Sequence, residues 1–240
     1  MLNRNITNTV NWFLDNIIPP ILRDWRLFMM LITKLAFGNK SNIILEFKEK
    51  LPFLTEEDIS NYYDLIKDTQ INTRPTDINK KTLNFIIDNI IGSIILDAGC
   101  GRGELVNKIA QNNSLKVIGV DIVQFDFLKL NVEFIKGSLA EIPLPDSSCD
   151  TVVCAHVLEH IIYPEKALKE LLRVANKRLI IVVPQQREYK YTVDLHVNFF
   201  PYLYSFQRLI YPFINQSNHV KYLCLNSDFV CIIDKTNEPL

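Results

Sequence analysis

The sequence predicts an α/β protein with a doubly wound, mainly parallel seven-stranded sheet, a terminal antiparallel hairpin and an N-terminal helical extension. Three observations carry that prediction. Beyond residue 92, short continuous apolar runs alternate with helical segments, the pattern of a parallel sheet covered on both faces. Three of only seven glycines, Gly99, Gly101 and Gly103, fall within five residues directly after the first of those runs. The last two strand-like runs, 221–226 and 229–235, are separated only by Ser227-Asp228, which predicts a tight hairpin.

Taken in order, residues 6–18 and 21–37 carry helical apolar spacing on either side of Pro19-Pro20, which must break or kink a helix there. A third helix is expected after Thr55, where Thr-Glu-Glu-Asp resembles a capping box and sets acids at the positive helix end. A fourth, over about 77–91, stops at Gly92. The strands follow: Ser93–Ala98, Leu115–Asp121, Val132–Lys136, Asp150–Ala155 and Leu179–Val183, with helices over 104–112 and 164–175. Right-handed crossovers wind these into one open sheet. The expected division is a helical extension or cap at 1–80 and an α/β domain at 81–240.

Composition narrows the functional classes. The 240 residues are 48% apolar and 22% charged, which excludes a disordered polyampholyte and leaves material for a sizeable core. Lys plus Arg is 26 against 27 acids, a net charge of −1, so no nucleic-acid partner is expected. Five cysteines with no C-x-x-C pair form no disulfide framework. With no signal-peptide pattern and no run of about 18 apolar residues, a cytoplasmic location is the expectation.

The glycine loop reads Leu96-Asp97-Ala98-Gly99-Cys100-Gly101-Arg102-Gly103 and joins a strand to a helix. Glycines there let another molecule approach the backbone, in the crevice where doubly wound sheets bind ligands. The spacing is G-x-G-x-G and not the dinucleotide G-x-G-x-x-G, and no Gly-Lys-Ser/Thr follows. An acid just before the loop, Asp97, suits a cationic ligand better than a pyrophosphate. Eighteen residues after Gly103, Asp121 closes the second strand, where an acid accepts both hydroxyls of a ribose.

These residues resemble the class I S-adenosylmethionine-dependent methyltransferases, in the broad subgroup that includes ubiquinone- and menaquinone-type enzymes. The resemblance runs on through Gly119-Val120-Asp121-Ile122, Gly137 to Asp146, Cys149 to Val153, Val157 to Ile161 and Leu168 to Val174, covering about 93–184 in order. It implies a Rossmann-like fold and S-adenosylmethionine as cofactor. It further implies that Asp97, Gly99, Cys100 and Gly101 hold the methionine end and that Asp121 binds the ribose. Ile122 would pack on adenine, with Ser138 and Leu139 at the adenine edge. Many relatives carry Asp where Ser138 stands. Ala175-Asn176-Lys177-Arg178 departs from the family's usual Pro-Gly-Gly, leaving Asn176 as the candidate for a left-handed turn into the fifth strand.

His156-Val157-Leu158-Glu159-His160 also spells H-x-x-E-H, an inverted zinc-protease motif. Its place directly after a strand argues against a helical metal face, so no metal is expected. His156 is instead a candidate for lining the cofactor or substrate and for taking a proton, and His160 for bracing the loop. A second cluster follows the fifth strand, Tyr189 to Phe200, in which Asp194 and His196 share one side of an extended stretch. A carboxylate beside an imidazole makes a workable general base. The expected acceptor is a small molecule or a glycan- or lipid-linked compound. The aromatic-rich N-terminal segment fits a substrate cap, a membrane-surface contact or ordinary packing, and the oligomeric state is open. The competing functional classes are a nicotinamide oxidoreductase and a cofactor-binding module without catalysis.

Overall fold

The computed structural model describes residue 13 and residues 17–66, 76–123, 131–191, 195–216 and 218–235. The chain divides into two compact units, one of Met1–Arg74 with Arg187–Phe199, the other of Pro75–Gln186 with Phe200–Leu240.

The second unit is built on one seven-stranded sheet. Its strands are β1 (Ile94–Ala98), β2 (Lys116–Asp121), β3 (Val132–Lys136), β4 (Cys149–Ala155), β5 (Ala175–Pro184), β6 (His219–Leu225) and β7 (Asp228–Asp234). They lie in the order β3-β2-β1-β4-β5-β7-β6. The first five pair in parallel, and β7 runs antiparallel to both β5 and β6. The strands that read as unbroken apolar runs occupy the middle and are buried on both faces, while the edge strands β3 and β6 alternate. In β1, Leu96 packs toward one face of the sheet and Ile95 toward the other. The first face is covered through Leu168 and Leu171 of one helix and Phe206 and Ile210 of another. The second is covered through Leu83 and Ile86 of one helix and Leu105, Val106 and Ile109 of another. The double winding expected from the alternating pattern is therefore present.

In the first unit, helices α1 (Arg26–Phe37), α2 (Ser41–Lys50) and α3 (Glu56–Ile66) follow a single helical turn at Pro20–Arg23. Met29 and Leu45 form a small core with Tyr191 of the returning segment. The capping box before α3 is realised: Thr55 N–H donates to Asp58 Oδ2 at 2.8 Å and Asp58 N–H to Thr55 Oγ1 at 3.2 Å. The expected helix over 21–37 is broken at Asp24-Trp25, and the one expected over 6–18 lies largely outside the described residues.

The second unit's helices are α4 (Lys80–Asp88), α5 (Glu104–Ile109), α6 (Pro164–Val174) and α7 (Leu203–Ile210). α2 and α7 were not anticipated, and α4 and α5 are shorter than their apolar patterns. The left-handed turn expected at Asn176 is absent. Helix α6 passes into β5 with no intervening loop: Ala175 is already extended, at φ −71°, and pairs with Cys149, so the reversal is made without a left-handed residue. The hairpin turn falls one residue early, with Asn226 at φ 58°.

Arg173 on α6 holds the loop after β3. Its guanidinium donates to the Leu144 and Ile142 carbonyls at 2.8 and 2.9 Å, while Glu170 accepts the Ile142 N–H at 2.9 Å. Replacing Arg173→Ala should destabilise the protein by ~1–3 kcal/mol, the scale of hydrogen bonds to a charged donor. An unchanged urea midpoint would show that the loop is held by other contacts.

Candidate cofactor site

Strand order reverses about β1: β2 lies on one side and β4 on the other, so their carboxyl ends open a crevice. The glycine loop leaves β1 and His156 leaves β4 at this point. Backbone hydrogen bonds pin the loop to the end of β2. The Gly99 and Cys100 N–H groups both donate to the Val120 carbonyl, at 2.7 and 3.1 Å. The Gly101 N–H donates to Asp121 Oδ2 at 2.8 Å.

Two of the glycines differ in what they permit. Gly99 has φ 81°, and a Cβ on it would collide with Val157, so it is needed by the fold. Gly101 has φ 48°, yet a Cβ there would meet nothing within 4 Å. Its absent side chain leaves open space beside the backbone, a cradle with room for a ligand.

Asp121 adjoins this space through the Gly101 N–H, and Asp97 is near enough to Asp121 for their charges to interact. Asp97 is only 3% exposed, and its Oδ2 has no hydrogen-bond partner among the described residues. Burial, and then the charge of Asp121, raises its pKa to about 7. Asp121 Oδ1 accepts the Val123 N–H at 3.0 Å, and burial raises the pKa of this carboxyl too. Each carboxylate oxygen keeps acceptor capacity beyond its one backbone bond. Next to it, Ile122 is 38% exposed, an apolar surface in a polar crevice. Ser138 Oγ accepts the Ala140 N–H at 3.1 Å.

Two of the expected residues turn their side chains inward. Cys100 does not line the cradle with its side chain: it is buried, and a Cβ on Gly119 would come within 2.9 Å of its Sγ. Leu139 turns into the core with Ile142 and Leu158, so its side chain packs within the protein and not at an adenine edge.

His156 departs most from expectation. It has a left-handed backbone, φ 57°, and its imidazole lies between two buried acids. Nδ1 is 3.4 Å from Glu159 Oε1, and Nε2 is 3.2 Å from Asp228 Oδ1. Burial lowers its pKa, but pairing with Asp228 and Glu159 outweighs this and raises it to about 10. An imidazolium at neutral pH has no lone pair for a substrate proton, so the general-base role is corrected to that of a fixed cation. Asp228 also accepts from Asn79 Nδ2 at 2.5 Å, while Asn79 Oδ1 caps α4 through the Thr82 N–H. The pairing of Glu159 and Asp228 with His156 is not legible in the sequence spacing. The spacing places Asp228 in the hairpin turn, and the signal for another role is an acid opening the buried apolar run 229–233. His160 lies in a 3₁₀ turn with Leu158 and Glu159, so the H-x-x-E-H residues share no helical face.

His196 is half-buried in the first unit, its ring centroid 6.3 Å from that of Phe199. Asp194 lies outside the described residues, so the structure does not test their pairing. In the same unit Lys48 donates to the Tyr189 carbonyl at 2.6 Å and lies 4.0 Å from the Phe199 ring.

A family model described as a methyltransferase domain matches residues 96–183. Residues 96–183 are a methyltransferase domain by this match. Within it lie the glycine loop, Asp121 and the His156 turn. An uncharacterised methyltransferase-like protein of Schizosaccharomyces pombe is 38% identical over 98 residues, 39% of this chain and 37% of that protein. A demethylmenaquinone methyltransferase of Paenarthrobacter aurescens is 28% identical over 137 residues, covering 52% of this chain and 51% of the enzyme. The chain thus matches about half or less of the length of these curated relatives. A solved methyltransferase of Aquifex aeolicus shares the fold at a TM-score of 0.53 and 18% identity, over 76% of this chain and 100% of that one. A Pyrococcus horikoshii protein does so at 0.54 and 16%, over 73% and 99%. The oxidoreductase alternative loses its ground, since the domain match and the terminal hairpin both point to the methyltransferase sheet.

Gly99→Ala should lower the melting temperature through its clash with Val157, by at least ~1–3 kcal/mol of stability. Gly101→Ala should cost only ~1–2 kcal/mol for the left-handed backbone while removing S-adenosylmethionine binding in calorimetry. Equal stability losses, or Gly101→Ala binding normally, would contradict the assignment of the open cradle. His156, with a raised pKa, contributes stability that is full below about pH 6.5 and fades as pH rises through about 10. The stability gap between wild type and His156→Asn should therefore shrink over that window, and a constant gap in denaturant titrations would remove the charged clamp.

Proposed function

We propose that this chain transfers a methyl group from S-adenosylmethionine to a small-molecule or a glycan- or lipid-linked acceptor. Two observations carry the reading: the unfilled space at Gly101, whose N–H donates to Asp121, and Asp97, a buried acid near Asp121 whose Oδ2 has no partner among the described residues. Such an oxygen needs a donor, and an ammonium group supplies one. The donor brings a methyl already activated on a sulfonium sulfur.

What remains for the protein is to bind, orient and neutralise. Asp97 would hold the amino end, and Asp121, fixed by two backbone N–H groups, would accept the ribose hydroxyls. The exposed Ile122 offers a flat contact for adenine, and the Ser138 hydroxyl a polar one. The two acids set a negative potential that favours a cationic ligand over a pyrophosphate. His156 is charged at neutral pH, so among the histidines considered as bases His196 is the one left for an acceptor hydroxyl.

Calorimetry of S-adenosylmethionine tests the reading. Asp121→Ala should weaken binding by ~1.5–3 kcal/mol, about ten- to a hundredfold in Kd. Unchanged affinity would remove Asp121 from the ribose. Asp97 must ionise to meet an ammonium, so affinity should rise with pH up to about 7–8 and Asp97→Asn should flatten the profile. The same raised pKa means the unliganded protein loses stability from Asp97 as pH climbs from about 4 through about 7. A flat wild-type profile would contradict the role given to Asp97. If His196→Gln leaves kcat with a hydroxyl acceptor unchanged, that histidine is not the base.

A further inference from the structure

Helix α1 is apolar on two opposite sides, and among the described residues only one of them is buried. Met29, Thr33 and Phe37 are buried, four residues apart along one face. On the far side Leu27, Leu31 and Leu35 form a second line at the same spacing, all exposed, Leu35 to 89%. The helical turn before α1 adds Ile21, 81% exposed, and Trp25 follows it. In the second unit, the exposed large apolar side chains among the described residues are Ile122, which belongs to the cofactor site, and four tyrosines. A leucine stripe in water is unfavourable by roughly 25 cal/mol per Å² of apolar surface, and such patches mark contact surfaces.

Charge selects the occupant. Residues 25–45 contain Arg26, Lys34 and Lys40 and no acid, in a chain whose net charge is −1. Arg26 and Lys34 are exposed, and Lys34 stands one position before Leu35. A second copy packed parallel along this face would bring Lys34 beside its own image, a repulsive pairing. An anionic lipid surface suits both features: leucines and a tryptophan enter the headgroup boundary while lysine and arginine stay at phosphate level. The helix has 12 residues, and no helix among the described residues is long and apolar enough to cross a membrane, so it would lie in the interface.

We propose that the first unit docks onto anionic lipid bilayers through the Leu27-Leu31-Leu35 face of α1, flanked by Trp25, Arg26 and Lys34. The proposal stands apart from the methyl-transfer reading, and its test does not use activity. The full chain is sedimented with phosphatidylcholine vesicles, with and without phosphatidylglycerol. Wild type should partition onto the phosphatidylglycerol vesicles and little onto phosphatidylcholine alone. Leu31→Glu/Leu35→Glu should bind at least about tenfold more weakly with an unchanged melting temperature, because both side chains are exposed. Lys34→Ala should bind about fivefold more weakly and lose part of the salt sensitivity. Failure of wild type to bind phosphatidylglycerol vesicles would overturn the proposal, as would equal binding by the double glutamate variant. So would a wild-type dimer in sedimentation equilibrium that this variant dissociates, with no vesicle binding, since the face would then join two copies.

Discussion

The architecture of the site depends on how the end of β2 holds the loop after β1. One carbonyl, that of Val120, accepts the N–H groups of both Gly99 and Cys100, and the next residue's carboxylate accepts that of Gly101. With these donors committed, the loop cannot relax into an ordinary strand-to-helix turn. The chain passes through three left-handed glycines, and the middle one faces open space. Asp121 therefore has two tasks in one side chain. It fixes the cradle through its backbone bonds, and it presents remaining acceptor capacity to whatever lies there.

The electrostatics follow from burial. Asp97 and Asp121 are close enough to raise Asp97's pKa, and neither has a cation among its hydrogen-bond partners. A site that leaves two acids in this state favours a positively charged ligand. The acids around the strand ends at His156 are arranged in the opposite way. There Glu159 and Asp228 enclose an imidazolium, and Asn79 extends the network to the cap of α4. One set of buried acids faces an imidazolium of the same protein, and the other has no cation beside it among the described residues. That contrast, more than the glycine pattern, separates the ligand-binding part of the crevice from its supports.

Much of this was legible in the sequence, for identifiable reasons. Central strands buried on both faces must be continuously apolar, so β1, β2, β4 and β5 announced themselves, and the glycine spacing located the crevice. Helix α2 did not, because Ser41–Lys50 mixes its apolar residues with charges and has no capping signal. The turn sought at Asn176 was unnecessary, because α6 feeds β5 directly. The role of His156 could not be read from spacing alone. Its proton affinity depends on Asp228, 72 residues away in sequence, which reaches it only once β7 has paired with β5. Cys100 and Leu139 matched the family pattern by position, yet their side chains face inward, a distinction set by packing and not by motif.

The central claim is that the space at Gly101, next to Asp121, receives the cofactor. Amide hydrogen exchange of the full chain, with and without S-adenosylhomocysteine, addresses it most directly. The account predicts new protection confined to peptides spanning the glycine loop, the end of β2 through Val123 and the loop beginning at Ser138. Protection that appears elsewhere while those three peptides exchange unchanged would contradict it.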